Sequence, residues 1–421
     1  MTAPNALTIW VHNILGITVQ TTPFTPTNCP YSISTPSLTF GAGEEMAALN
    51  LAASQYNLTI ISGGQTSIGY NGYMSGAGHG ALGPTYGMAA DNVLEMEVVT
   101  PSGEILTVNE CQNQDLFWAL RGGGGSTFGV ITRTTIAAFP SVPLHTLTLQ
   151  FGTPFPYSDT YWSAAAAFFS SYPSFASNYH LAGYGTFSPN TSISISANQT
   201  GNFGGFAGVF LLPAVSPSNT TTSLEQAILP IVEEIQSSYP GLFISTNTSA
   251  TYPSFYDWWI TSNGPDWGGI DLMVGSRLLD AEALSGNLTA LKEAMMGATT
   301  TTMGQAGLMV DFVSGVGVWD AKPRGGGNSV NPAWRRAVVH CTNGATWPYA
   351  PSSPSALTER TTQQNLLTNT YVQALRTLAP NMGAYVNEAD VNEPDFQKAF
   401  WGTNYERLVE IKRSFEGSVI V

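Results

Sequence analysis

Two hydrophobic patterns run along the chain, and they divide it near residue 140. Upstream, short runs of apolar residues flanked by polar ones, LTIWVHN (7–13), SLTFG (37–41) and LTIISGG (58–64), predict strands. AGEEMAALNLAASQYN (42–57) carries its apolar residues at helical spacing and predicts a helix. DNVLEMEVVTPSGEILTV (91–108) reads as a hairpin closed by Pro101-Ser102-Gly103. DLFWAL (115–120) predicts a short helix, and GVITRTTIAAF (129–139) a strand.

Past Pro140 the alternation lengthens. LHTLTLQFG, YHLAGYGTF, SISISANQT and FAGVFLLPA predict antiparallel strands with one solvated face. SAAAAFFSSY, TSLEQAILPIVEEIQSSY and AEALSGNLTALKEAMM predict helices between them. A loop (320–332), a helix near 361–378, the segment GAYVNEAD (383–390) and a last helix, NYERLVEIKRSFEG, follow. The class this predicts is α+β, with units at 1–140, 141–380 and 381–421.

Composition narrows the function. Only 10% of the 421 residues are charged, the net charge is −14, and no basic run occurs. Nucleic acids and anionic membranes need clustered Lys and Arg, so neither is an expected partner. No apolar run is long enough to span a membrane. Sequons at Asn57, Asn190, Asn198, Asn219, Asn247 and Asn287 favour a secreted, glycosylated protein. Cys29, Cys111 and Cys341 are consistent with one disulfide and one leftover thiol, or with three buried thiols. The five histidines are scattered along the chain, so no histidine-based metal site is expected.

The chemistry concentrates in GGQTSIGYNGYMSGAGHG (63–80). Its tail, GHGALG, matches a dinucleotide fingerprint in letters, but neither the strand before it nor the helix after it is predicted. No Walker loop and no G-x-S-x-G elbow occurs. The dense glycine leaves two readings: a backbone that approaches a flat or anionic ligand closely, or a set of tight turns.

Three segments in order, GGQTSIGYNGYMSGAGHG, YGMAADNVLEMEVVTPSGE and DLFWALRGGGGSTFGVITR, resemble the flavin-binding domain of the vanillyl-alcohol-oxidase superfamily, in its berberine-bridge-enzyme-like branch. NPAWRRAVVH (331–340) and AYVNEADVNEPDFQKAFWGTNYERLVEIKRSFE are similar to that family's later segments, the last to its fungal secreted members. The resemblance implies a PCMH-type FAD-binding domain under an antiparallel sheet with helices. It implies flavin contacts at Gly64, Gln65, Ser67, Ile68, Gly69, Gly72, Gly129, Val130, Ile131 and Asn387, while Asp91 and Asn92 hold turns. Gln65 stands where many relatives bond a cysteine to the flavin, and no histidine lies in the family's other attachment motif, so non-covalent FAD is expected. The chain opens where the family's first flavin subdomain would already have passed and stops before its usual last strand. A protein reduced at both ends is therefore expected.

The resemblance further implies oxidation of a CH–OH group of an alcohol or sugar, with electrons passed to O2, by a monomer. Proton handling then falls to Tyr385, His79 and Glu388, and Ile68 lies where oxygen access is set. For His79 and Tyr385 the plainer reading is a packed core residue. Tyr157, Trp162, Trp258 and Trp259 suit either stacking on substrate or the core. The alternative for the whole chain is a flavin-free remnant serving as a secreted binding or storage glycoprotein.

Overall fold

The computed structural model describes residues 8–154, 159–196, 199–216, 218, 220–263, 272–299, 307–347 and 354–416. Among these described residues fourteen strands are formed: β1 (Ile17–Gln20), β2 (Ser37–Gly41), β3 (Leu58–Thr59), β4 (Val93–Val99), β5 (Ile105–Asn109), β6 (Val130–Ala137), β7 (Phe139–Pro140), β8 (Leu144–Pro154), β9 (Ala182–Ser196), β10 (Gln199–Pro213), β11 (Phe243–Tyr252), β12 (Leu272–Asp280), β13 (Leu308–Phe312) and β14 (Ala337–Thr346). The first sheet has the order β1-β2-β6-β4-β5, and the second β11-β8-β10-β9-β13-β14-β12. The pairings within both are antiparallel.

The hairpin over 91–108 forms as β4 and β5. The first strand does not fall where expected. Residues 8–13 are not in a strand; Trp10 stacks on His12 at 4.9 Å, and pairing starts at Ile17. Ala182–Phe187 of YHLAGYGTF and Ser192–Ser196 of SISISANQT join into the one strand β9, and Gln199 already opens β10. AEALSGNLTALKEAMM breaks into Ala281–Ser285 and Leu288–Ala298, because Asn287 caps the second helix by accepting from the N–H groups of Thr289 and Ala290. A helix absent from the sequence reading, Tyr70–Ser75, sits inside the glycine-rich run.

Side chains alternate across a strand, so the second sheet has two different faces. One carries Phe187, Phe206, Phe210 and Phe312, all buried, against helix Asp159–Ser170 and the Tyr172–Asn178 helix after it. Phe169 meets Phe187 at 5.4 Å and Tyr172 stacks on Phe312 at 3.7 Å. The other face carries Tyr184, Asp311 and His340, which lie in one row because Asp311 pairs with Tyr184 on β9 and with His340 on β14. One buried cluster includes residues of both sheets, among them Leu38, Ile136, Phe187 and Val339. Trp162, Trp258 and Trp259 lie in that core; Tyr157, Asn198 and Asn219 lie outside the described residues.

Candidate active site

The glycine-rich run splits into two halves with different jobs. Over 64–69 the backbone lies exposed along the start of helix Met46–Ser54: Met46 N–H donates to Ile68 O and Ala47 N–H to Thr66 O, both at 3.0 Å. From behind, Trp259 Nε1 donates to Gly63 O at 2.8 Å. A Cβ added at Gly69 or Gly72 would meet nothing within 4 Å, and Ile68 is 42% exposed. Downstream the glycines are packed. A Cβ at Gly76 would fall 2.2 Å from Asn387 Oδ1, at Gly78 2.7 Å from Tyr73 and Ala89, and at Gly80 2.1 Å from Ser62 O. The first half is an open wall, and the second is a hinge pin driven into the core.

At the end of the pin stands His79. Tyr73 Oη donates to His79 O at 2.7 Å. His79 Nε2 lies 3.4 Å from Glu388 Oε1, and His340 Nδ1 lies 3.4 Å from Asp311 Oδ2 and 3.7 Å from Glu388 Oε2. The rings of His79 and His340 are 5.0 Å apart, and Tyr385 and Trp334 flank His79 at 4.9 and 5.9 Å. Tyr385 N–H donates to Ser276 Oγ, which ties the closing segment to β12. Asn387 Nδ2 donates to Tyr73 O at 2.9 Å and to Tyr385 Oη at 2.7 Å. His340 is fully buried, while the Glu388 side chain is 36% exposed and is the group of this cluster most open to solvent.

Electrostatics follow from that crowding. Burial works to lower the His79 pKa, but the hydrogen bond and charge of Glu388, with the charge of Asp311, outweigh it and raise it. Burial works to raise Glu388, yet His79 and His340 hold its carboxyl below the ordinary range. Burial first, then the charge of Glu388, pushes the Tyr385 hydroxyl up. Burial, Asp311 and Glu388 do the same to Tyr184. Among the described residues no Lys or Arg pairs with Asp311 or Glu388.

Of the residues singled out in sequence, Tyr385, His79, Glu388 and Asn387 come together, and Gly64, Gln65, Ser67, Ile68, Gly69 and Gly72 form the open wall. Gly129 has a separate reason to be glycine: with φ +150, its Cβ would fall 2.7 Å from Val98 Cγ1. Val130 and Ile131 pair with Val99 and Val98 on β4. Asp91 accepts from Met88 N–H and Arg335, and Asn92 donates to Tyr86 O and Met88 O, so both hold turns. Sequence reasoning missed Asp311, His340 and Tyr184. NPAWRRAVVH ends on His340, but only strand register brings it to Asp311.

The FAD binding domain family matches residues 31–109, and the Berberine and berberine like family matches residues 384–416. An uncharacterized FAD-linked oxidoreductase of Arthroderma benhamiae is 33% identical over 428 residues, covering 99% of this chain and 68% of that protein. The chain belongs to the berberine-like FAD-linked oxidoreductases. Among solved structures, the VAO-type flavoprotein MtVAO713 of Myceliophthora thermophila C1 aligns with a TM-score of 0.84 at 25% identity, over 97% of this chain and 70% of that one. Glucooligosaccharide oxidase of Acremonium strictum shares the fold, with a TM-score of 0.64 at 20% identity over 90% of this chain and 76% of that one. This FAD-linked oxidoreductase therefore has the α+β, PCMH-type architecture.

The residues present fit the family's FAD. Gly69 and Gly72 leave open space in front of the wall, and beside Gly72 in the chain the buried Asn71 Nδ2 has no protein partner, nor has His79 Nδ1 in the cluster. Such orphaned groups are costly unless a ligand or water meets them.

Proposed function

We propose that this oxidoreductase removes a hydride from the CH–OH carbon of an alcohol or carbohydrate and passes the electrons on to O2. The observation that carries the reading is the open glycine wall beside a buried cluster of acid–base side chains, with helix Tyr70–Ser75 joining the two. Gly64–Gly69 and Gly72 would hold the flavin, which would supply the hydride acceptor. The chain's own residues supply position and proton handling. Glu388, the group of the cluster most open to solvent, takes the hydroxyl proton; His79 orients it, and Tyr385, almost fully buried, fixes Asn387 and the closing turn. A neighbour of the same fold is named an oligosaccharide oxidase, which supports a sugar as one substrate class. Ile68, exposed on the wall, is the residue placed to influence the approach of O2.

Gln65 offers no nucleophile, so the flavin is held by this chain without a thioether. The Cys29–Cys111 disulfide supports an oxidising, extracellular setting. The test is direct. The purified chain should show visible flavin absorbance after incubation with FAD and desalting, and acid precipitation should release that colour to the supernatant. Peroxide should form with at least one of a panel of alcohols and oligosaccharides. A colourless protein would instead favour the flavin-free binding reading.

A further inference from the structure

We infer that His79, Asp311, His340 and Glu388 form a binding site for one divalent transition-metal ion, of the kind represented by zinc. Two imidazoles and two carboxylates, one from each of four chain segments, bring one donor atom apiece to within 4.8 Å of one another. That donor set suits zinc, which takes His nitrogen and Asp or Glu oxygen in a tetrahedron. Ligands about 2.1 Å from a central ion stand about 3.4 Å from each other. Two separations here match it, His79 Nε2–Glu388 Oε1 and His340 Nδ1–Asp311 Oδ2, each at 3.4 Å; the other oxygen of Glu388 lies 3.7 Å from His340 Nδ1.

Those distances carry a second point. Charge-assisted pairs left to themselves close to about 2.7–2.9 Å. Elsewhere in this chain Arg335 reaches Asp91 at 2.7 Å and Arg407 reaches Asp115 at 2.9 Å, while Arg277 and Arg376 stop 3.9 Å from Glu393 and Asp390. In the cluster imidazole nitrogens and carboxylate oxygens converge at the spacing of ligands around an ion. Charge agrees, because the Asp311 carboxylate and the half-exposed Glu388 carboxylate, without Lys or Arg, are neutralised by one dication with both imidazoles neutral. Exposure of Glu388 leaves a side of the site open to solvent.

The inference rests on the cluster assigned above to proton handling, and it deepens that reading: a cation beside Glu388 would stabilise negative charge building on a substrate oxygen. It would also clamp the closing segment to the second sheet, since Glu388 belongs to the former and Asp311 and His340 to the latter.

The test uses the full chain without a histidine tag. After dialysis against a chelator, the protein is loaded with zinc chloride, desalted and analysed by elemental mass spectrometry. About one zinc per chain should be retained, with a rise in melting temperature, and both should vanish in H340Q and E388Q. Retention far below one equivalent, or equal retention in the two variants, overturns the site. Should the variants not fold, cobalt loaded into the wild type decides: intense tetrahedral absorption supports the inference, and the faint spectrum of hydrated cobalt sinks it. Flavin content and peroxide formation are read on the same samples. Oxidation without any bound metal defeats this inference and spares the proposed function, while metal uptake without flavin does the reverse.

Discussion

At the scale of the residue, glycine serves two purposes within eighteen positions of one run. Gly72 faces open space within a helix, whereas Gly80 lies against Ser62 O. Gly72→Ala should therefore leave stability unchanged or raise it by up to about 1 kcal/mol, through helix propensity. Gly80→Ala forces a backbone contact and should cost about 1–3 kcal/mol in urea unfolding. Equal effects at the two sites would contradict the division of the run into wall and pin. For the chemistry, Glu388→Gln should lower kcat by about a hundredfold or more with the flavin still bound, as expected of a lost general base. His79, Tyr385 and Glu388 were legible in sequence because each sits in a motif. Asp311 and His340 were not, because 29 positions separate them and only the pairing of β13 with β14 joins them.

At the scale of the element, period alone located the hairpin, the longer strands and most helices. It failed where local chemistry competes with period. Glycines hid the helix Tyr70–Ser75, Asn287 capped and so split a run that reads as one helix, and LTIWVHN proved to be a stacked coil. The closing segment is the element with the most to lose. Glu393 is buried between Arg376, at 3.0 Å, and Arg277, at 3.9 Å, and Arg277 in turn donates to Ala379 O. Glu393→Ala leaves two buried guanidiniums facing each other and should cost about 3–5 kcal/mol. Chemical denaturation measures this; a change below 1 kcal/mol, as an exposed pair would give, would show that the network is not buried in solution.

At the scale of the molecule, the two sheets share a core, and the N-terminal coil is held by Cys29–Cys111, which closes a separation of 82 residues. Replacing both cysteines with serine should lower stability by about 2–5 kcal/mol, seen as an earlier thermal transition that added reductant no longer shifts. Cys341, buried in β14 with its thiol pushed up by burial, should stay unreactive towards thiol reagents until the chain unfolds.

The row Tyr184–Asp311–His340 crosses three strands, one residue from each. Its polarity is thus stored as a residue count. Deleting a single position early in β13 would turn Phe312 to the face that carries His340 and send Asp311 in among the phenylalanines beneath. Length changes are tolerable in the connections between these strands and ruinous within them. Variation that retunes what the enzyme accepts must therefore come by exchange of side chains along the row, or by loops around it, and never by sliding a strand.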